Sequence, residues 1–285
     1  MTAKGNRNTI ENQVKACRQL ARRFDYERYL ATLFASRQYR EALWILLAFN
    51  AEIARTREIV SEPMIGRIRL QWWREVVDAA VANGPVRAHE VAAPLTAAIR
   101  CDRLDPLLLS ELIDGRERDL DDTPIPDVAS LLDYADKTGG VLMAAMAMAT
   151  GATGAQSEMR SLGQGWALTG LLRAAGFQAQ QGRQMLPVSL LRDVGADTRD
   201  LLQQRSTDGV RAAAASVATM ARDALTAAVV TGQPSDRLMI LKPVAAMYLD
   251  RLTASGFDLF TSRVPPGPAR ILWIMLAARW FGRGI

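Results

Sequence analysis

The stretch from residue 43 to residue 78 most constrains what this chain can fold into. It reads LWILLAFNAEIARTREIVSEPMIGRIRLQWWREVVD. An apolar first half passes into a charged second half at helical period, and a Ser-Glu-Pro break at residues 61–63 precedes a second charged run that contains two tryptophans. Because proline is favoured at the first position of a helix, the pattern predicts two consecutive helices joined by a short turn. We expect their polar faces to border a common space, where the protein acts.

The rest of the sequence also predicts helices. Ser36 and Asp127 are expected to cap two of them, and the Gly139-Gly140 pair to kink or divide a third. Residues 188–206 are expected to be irregular, with short turns. No strand-like alternation, fixed repeat or linker is visible, so the sequence predicts one all-α domain over residues 1–285. The predicted helices lie near residues 8–23, 26–34, 36–59, 64–82, 88–102, 106–119, 128–138, 141–150, 157–179, 208–231, 236–255 and 267–282.

The charge and the scarcity of cysteine and histidine exclude several classes of function. The formal net charge of +5 favours an anionic partner such as a phosphate or an acidic lipid. The basic residues are interleaved with 30 acidic ones, so nucleic-acid binding is not indicated. Cys17 and Cys101 lie far apart and are expected to be free, buried thiols. The single histidine, His89, is expected at the surface or at a helix start, so zinc sites and histidine-activated nucleophiles lack their residues.

Three segments bear on location. The N-terminal residues are polar, without the apolar segment of a signal peptide, and the longest uncharged run, residues 138–157, is too rich in glycine and threonine to span a membrane. We therefore expect a soluble, cytoplasmic protein. The last predicted helix, residues 269–281, mixes apolar side chains with arginines near its ends. Core packing is the simplest interpretation of it, and peripheral contact with the inner membrane or with a protein partner is the alternative.

Three stretches carry a family resemblance. The first is Phe24–Glu58. The second is ELIDGRERDL at residues 111–120, followed by YADKTGG at residues 134–140, and the third is LTGLLRAAGFQAQQGRQMLP at residues 168–187. In order and spacing they resemble the helical motifs of the squalene and phytoene synthases. The resemblance implies an isoprenoid-synthase-like fold, a single helical bundle around a central cavity.

The resemblance also implies where a metal site would lie. Active members of the family carry two D-x-x-x-D motifs, whose i, i+4 carboxylates share a helix face and hold the Mg²⁺ ions that bind the substrate diphosphate. Aligned without gaps, the first motif falls on Ala54 and Glu58, the second on Ala174 and Gln178, and the asparagine of the second on Gly170. Alanine and glutamine cannot supply the missing charge. We therefore predict degenerate motifs, no catalytic residue, and no Mg²⁺ or other cofactor.

Two other groups of acids imitate a metal motif. The run RDVGAD at residues 192–197 repeats the family's letters, but it follows the Leu-Pro pair that the family's motif precedes. We expect no metal-binding role for Asp193 and Asp197. Asp114 and Asp119 lie five residues apart beside two arginines, and they are expected to be solvated or ion-paired surface residues.

Arginines and tryptophans supply the remaining candidates. Guanidinium groups suit phosphate oxygens, so the arginines could hold a prenyl or anionic lipid without metal; the alternative is that they pair with nearby glutamates, and both interpretations stay open. Trp72 and Trp73 are adjacent and must face different sides of their helix, which predicts one core residue and one partner-surface residue. The candidate phosphate-binding or lipid-binding residues are Arg55, Arg57, Arg67, Arg69 and Arg173, the glutamates are Glu52, Glu58, Glu62 and Glu75, and the candidate partner-surface residues are Trp72, Trp73 and Trp280.

One branch of the family shares two further runs with this chain. Residues 48–58 and 69–74 are similar to A-F-N-A-E-x-A-x-x-R-E and R-L-Q-W-W-R in the complex I assembly factors of phytoene-synthase type. That resemblance implies a non-catalytic role in building the respiratory NADH dehydrogenase at the inner face of the membrane, with a complex I subunit or assembly protein as partner. Two alternatives stay open: a Mg²⁺-dependent prenyl diphosphate condensing transferase that makes squalene or phytoene, and a metal-independent holder of a prenyl or anionic lipid.

Overall fold

A computed structural model describes residues 3–60, 62–152, 154–261 and 266–281. Every regular element within those ranges is a helix, which confirms the predicted all-α class. The α-helices are α1 (Ala3–Phe24), α2 (Tyr26–Thr32), α3 (Arg40–Ala54), α4 (Thr56–Ile59), α5 (Pro63–Val81), α6 (Ala92–Arg100), α7 (Pro106–Glu117), α8 (Val128–Ala135), α9 (Val141–Ala149), α10 (Gln156–Gln180), α11 (Val188–Asp193), α12 (Thr198–Leu202), α13 (Asp208–Ala227), α14 (Leu241–Ala254) and α15 (Pro268–Phe281).

The helices group into two compact units, and the first comprises residues 1–121, 141–156 and 230–239. Its central helix is α3, which is buried along most of its length, with Leu43, Leu46 and Phe49 fully inaccessible to solvent. α3 packs against α1, α6, α7 and α9. A helix that is apolar on all sides requires neighbours on all sides, and this explains why the apolar run of the sequence becomes the core.

The second unit comprises residues 122–140, 157–229 and 240–285. α8 begins at the predicted cap, where the Asp127 carboxylate accepts a hydrogen bond from the Ser130 N–H at 2.8 Å. Beyond α8, the Gly139-Gly140 pair lies in a π-helical turn over residues 136–140, so the predicted helix irregularity is present. Within this unit α13 packs against α11 and α14, and α14 packs against α15. That the whole chain forms one domain stays a prediction.

Two predicted helix boundaries are wrong. Ser36 leads into a 3₁₀ turn over residues 37–39, and its side chain makes no capping hydrogen bond, so α3 begins only at Arg40. The same helix was expected to reach Ile59 but ends at Ala54, because the backbone at Arg55 departs from helical geometry (φ −88°, ψ 4°) before α4 begins.

Three further sequence predictions, which do not concern helix ends, can be compared with the structure. Residues 188–206, expected to be irregular, contain the short helices α11 and α12. Cys17 is buried as predicted, whereas Cys101 is exposed because it follows the last residue of α6. The uncharged run near residue 145 forms α9, which is almost entirely buried. Within the described residues, no helix is both long enough and apolar enough to cross a membrane.

Candidate functional site

The first degenerate motif lies where α3 gives way to α4. Ala54 is the last residue of α3, and the exposed Glu58 carboxylate lies 3.7 Å from the Arg55 guanidinium. Arg55 also stacks over the Phe24 ring, with its guanidinium carbon 3.8 Å from the ring centroid. The one carboxylate that remains at this motif is therefore paired with a cation, and its partner position carries a methyl group.

Two other arginines of this region have acidic partners as well. Arg69 of α5 donates a hydrogen bond to the Glu52 carboxylate of α3. This pair agrees with the interpretation that the arginines pair with nearby glutamates. Arg67 lies 3.4 Å from Asp121, which the sequence analysis did not anticipate. Arg57 is half-buried on α4. Pairing thus accounts for Arg55, Arg67 and Arg69, and the phosphate-binding role of the four first-unit arginines stays a prediction.

A second set of charges is buried close to α7. The Arg28 guanidinium lies 3.2 Å from Asp25, and the Arg116 guanidinium lies 3.3 Å from Asp119 and 3.4 Å from the Asn50 amide oxygen. Burial raises the pKa of Asp25, and the nearby Arg28 acts in the opposite direction. Each of the two aspartates has an arginine beside it, so both carboxylates are engaged in ion pairs.

Asp114 and Asp119 are ion-paired, as predicted. Asp114 accepts hydrogen bonds from Arg74 at 2.6 and 3.2 Å, and Glu117 accepts one from the same guanidinium at 2.8 Å. Asp119 differs from the expectation in one respect: it is buried beside Arg116 rather than on the surface. The ion pairs of Arg74 link α5 to α7, so the Asp114 and Glu117 carboxylates have a structural role.

The second degenerate motif borders a cavity in the second unit. Gly170, Arg173 and Ala174 of α10 line a space of about 440 Å³ together with Tyr248 and Arg251 of α14. The Arg173 guanidinium lies 3.6 Å from the centroid of the Tyr248 ring. Asp258, Leu259 and Thr261 also line this space. Of the predicted phosphate-binding arginines, Arg173 is the one that lines this cavity.

Charge in this cavity is set by two arginines and one aspartate. Asp258 accepts hydrogen bonds from the Thr261 hydroxyl and from the backbone N–H of Phe260, and these bonds lower the pKa of Asp258 to about 2. Asp258 is thus an anion at neutral pH and lines the same space as Arg173 and Arg251. Two guanidinium groups, one carboxylate and several apolar side chains therefore border this cavity.

Gln178 lies one turn beyond Ala174 at the last position of the second motif. Its side-chain oxygen is buried and has no hydrogen-bond partner within the described residues. A single neutral amide oxygen beside an alanine does not fit Mg²⁺, which takes charged or phosphate oxygens together with water. The residues at both motifs therefore do not match the ligand set that the family's metal requires.

The RDVGAD run has a structural use. Asp193 is the last residue of α11, and Asp197 caps α12, where its carboxylate accepts from the Arg199 N–H at 2.8 Å. The Arg199 side chain lies 2.7 Å away and lowers the pKa of Asp197 to about 2. The two aspartates lie on different helices rather than on one helix face. Within the described residues, no three acidic, cysteine or histidine side chains are grouped closely enough to hold a metal ion.

The tryptophans divide as their adjacency predicts. Trp73 is fully buried and packs edge-on against Phe49, so its assignment to a partner surface is wrong. Trp72 is half-buried and contacts the His89 ring. His89 accepts a hydrogen bond from the Val91 N–H just before α6, which confirms the helix-start position. Trp280, on α15, is 75% exposed.

An exposed apolar surface on α4 and α5 was missed by the sequence analysis. Ile59, Met64, Ile65 and Ile68 are 46–63% exposed, and the last three share one face of α5 with Trp72. The opposite face carries the buried Leu70, Trp73 and Val77. The signal was present in the sequence, because α5 has apolar residues at helical spacing on both of its faces. We call Ile59, Met64, Ile65, Ile68 and Trp72 the α5 patch.

The family is decided by a model described as squalene/phytoene synthase, which matches residues 21–270. This chain belongs to the squalene/phytoene synthase family. Solved structures of family members show the same fold: a squalene synthase from Alicyclobacillus acidocaldarius superposes with a TM-score of 0.77 at 18% identity, covering 87% of this chain and 96% of that one. A dehydrosqualene synthase superposes with a TM-score of 0.83 at 14% identity, covering 97% and 98%.

Similar sequences within the squalene/phytoene synthase family have two kinds of name. NADH dehydrogenase (ubiquinone) complex I assembly factor 6 from Bos taurus is 30% identical over 72% of this chain and 62% of its own length. Its homologue from Drosophila melanogaster is 27% identical over 93% of this chain and 84% of its own length. A phytoene synthase from Thermus thermophilus is 28% identical over 75% and 73%. The chain thus matches about three fifths of the length of the bovine relative.

Proposed function

We propose that this chain acts in the assembly of respiratory complex I, at the inner face of the membrane, and does not catalyse prenyl transfer. The observation that carries the proposal is the chemistry of the two motifs. Three of the four positions that hold aspartate in active relatives carry Ala54, Ala174 and Gln178, and the fourth, Glu58, is paired with Arg55. Removing a charged metal ligand abolishes a Mg²⁺ site rather than tuning it. The similarity to relatives named complex I assembly factor 6 supports the assembly role.

The α5 patch is the surface that we propose for the protein partner. Apolar side chains exposed together on one helix face are unusual on a monomer and mark contact surfaces. Isoleucine, methionine and tryptophan provide the apolar centre that such contacts need. Arg67 and Glu62 lie beside the patch in sequence and would form part of its polar rim.

The test uses a strain in which the gene for this chain is deleted. Assembled NADH dehydrogenase is measured on native gels, and the strain is complemented with wild type, Ile68→Glu or Val81→Glu. Val81 is the matched control because it is also on α5 and is 57% exposed, but lies away from the α5 patch. We expect wild type and Val81→Glu to restore complex I and Ile68→Glu to fail at equal protein level. Unaltered complex I in the deletion strain would refute the assembly role.

The cavity beside α10 favours a second candidate function, metal-independent binding of a prenyl or anionic lipid. Arg173 and Arg251 offer guanidinium groups to a phosphate, while Leu249, Leu252 and Leu259 give the cavity apolar walls for a chain.

Calorimetric titration with farnesyl and geranylgeranyl diphosphate tests this candidate, once with Mg²⁺ and once with a chelator. We expect equal affinity in both conditions, and a loss of about tenfold for Arg173→Gln, because one charge-assisted hydrogen bond contributes roughly 1.5–3 kcal/mol. Arg192→Gln is the control, since Arg192 is exposed in the same unit and does not line the cavity. Binding that requires Mg²⁺ and releases diphosphate would favour the condensing transferase instead.

A further inference from the structure

The C-terminal end of the chain has an unusual charge pattern. Asp258 is the last acidic residue, and the 27 residues after it carry four arginines, at positions 263, 270, 279 and 283. Everywhere else acids and bases are interleaved. This end therefore has a net positive charge along the sequence, and α15 lies within it.

One face of α15 packs into the second unit. Ile271 and Met275, one turn apart, are buried, and the helix lies against α14. This packing fixes which side of α15 remains outside. The exposed apolar side chains on α15 therefore belong to a helix whose other side is already packed against the protein.

The outer face of α15 is apolar. It carries Ala269, Leu272, Trp273, Leu276 and Trp280, which we call the Trp273 face. With 3.6 residues per turn, these five positions fall within an arc of about 100°. Leu272, Trp273 and Trp280 are 39%, 68% and 75% exposed. Two tryptophans open to water on one face are costly, since each can bury a large apolar area.

The arginines flank this face on both sides. Arg270 and Arg279 are both exposed, and on a helical wheel they lie about 80–100° from the centre of the Trp273 face, in opposite directions. The Trp273 face is thus an apolar arc that carries two tryptophans and has an arginine beyond each edge, on a helix whose other side is buried in the protein. Such an exposed face suits contact with a bilayer surface. The indole rings would sit at headgroup depth and the guanidinium groups would reach lipid phosphates.

We propose that the Trp273 face of α15 docks the protein onto a bilayer that contains anionic phospholipid. The absence of any acid after Asp258 favours lipid over a protein partner, because an anionic lipid surface needs no complementary pattern of both signs. The proposal concerns a different surface from the α5 patch and the cavity beside α10. It needs only the purified chain, so its failure can be told apart from failure of the assembly role.

The test is flotation of the full chain with vesicles. We compare phosphatidylcholine alone with phosphatidylcholine containing about a third phosphatidylglycerol, at low and high salt. Wild type is expected to float with the anionic vesicles at low salt and to bind at least about tenfold less to the neutral ones. The double variant Trp273→Ala/Trp280→Ala should lose about tenfold or more in binding to anionic vesicles, and Arg270→Gln/Arg279→Gln should lose most of the salt dependence.

Phe177→Ala is the matched control, because Phe177 is an aromatic residue of the same unit that is 57% exposed but lies on α10. Circular dichroism checks that each variant is folded. Equal flotation of wild type and the tryptophan variant would overturn the proposal. So would a wild type that forms a dimer in solution, ignores both vesicles and becomes a monomer in the tryptophan variant, since a second copy of the chain would then cover the Trp273 face.

Discussion

The two cysteines of this chain have opposite environments. Cys17 is fully buried in the first unit, and its thiol lies 3.8 Å from the Glu90 carbonyl oxygen. Burial, with a smaller contribution from the Glu90 carboxylate, raises the pKa of Cys17 to about 12. Cys101 is exposed at the end of α6. The thiolate is the reactive form of cysteine, so the two residues should differ in chemical reactivity.

At pH 8 the native protein should react with one equivalent of a thiol reagent such as DTNB. Cys17 then has on the order of one thiolate in ten thousand molecules, since its pKa lies about four units higher. Cys101→Ser should remove the reaction, and denaturant should expose a second equivalent in the wild-type chain. Rapid reaction of two thiols in the folded protein would contradict the assignment.

Gly163 is required by the close approach of the π-helical turn to α10. A Cβ at this position would overlap the carbonyl oxygen of Gly139, and backbone atoms cannot move aside as a flexible side chain can. Gly163→Ala is therefore expected to lower the free energy of unfolding by about 1–3 kcal/mol. Gly170, seven residues further along α10, has no described atom within 4 Å of an added Cβ. Gly170→Ala should raise the stability by up to about 1 kcal/mol, because alanine is the better helix former.

Urea denaturation of the two glycine variants measures the difference. Both substitutions add one methyl group to the same helix, so the comparison separates packing from helix propensity. A Gly163→Ala variant as stable as Gly170→Ala would mean that α10 is further from the π-helical turn than the structure places it.

At the scale of helices, Asp127 and Ser36 form a matched pair of predicted cap residues. Both precede a helix, but the Asp127 carboxylate accepts a hydrogen bond from a backbone N–H, and the Ser36 hydroxyl caps nothing. Asp127→Ala should lower the Tm by roughly 1–3 °C, and Ser36→Ala should change it little. A loss of the same size in both variants would show that hydrogen bonding at the cap is not the cause.

The Asp127 cap should also depend on pH. The hydrogen bonds from Ser130 lower the pKa of Asp127 below its usual 3.8, so the folded state favours the charged form. Its contribution to stability is therefore complete above pH 3.8 and is lost as the pH falls through the lower, folded-state pKa. Thermal unfolding between pH 5 and acid should show the wild type and Asp127→Ala converging toward low pH.

The existence of most helices could be predicted, and their ends could not. Apolar spacing identifies α5 and α13, because each is an amphipathic helix that buries one face. Serine at residue 36 predicts a cap because serine is favoured at that position, yet the following residues form a 3₁₀ turn instead. The break at Arg55 has no glycine or proline to announce it. Local sequence signals state which residues are able to cap or break a helix, and tertiary packing decides which of them do.

Across the whole chain, the motif positions follow from the family resemblance. Its gapless alignment predicts Ala54, Glu58, Ala174 and Gln178 at the four positions that should hold aspartate, and this assignment stays a prediction. The partners of the arginines were harder, because Asp121 lies 54 residues from Arg67 and Tyr248 lies 75 residues from Arg173 along the chain. Pairings across such distances depend on how helices pack, which one sequence does not specify. The α5 patch was missed for a different reason: apolar residues in a helix are normally assigned to the core.

Prenyl transfer and complex I assembly predict different results for the substitution of Glu58. If the chain were a Mg²⁺-dependent transferase, Glu58 would be the last carboxylate of its first motif, and Glu58→Gln would lower activity by at least about 10–100-fold. In the structure Glu58 is exposed and pairs loosely with Arg55, a contact that contributes about 0–1 kcal/mol. Glu58→Gln should therefore fold normally and restore complex I in the deletion strain as fully as wild type, while Ile68→Glu does not. Failure of Glu58→Gln at normal protein level would place the function at the first motif and reverse the proposal.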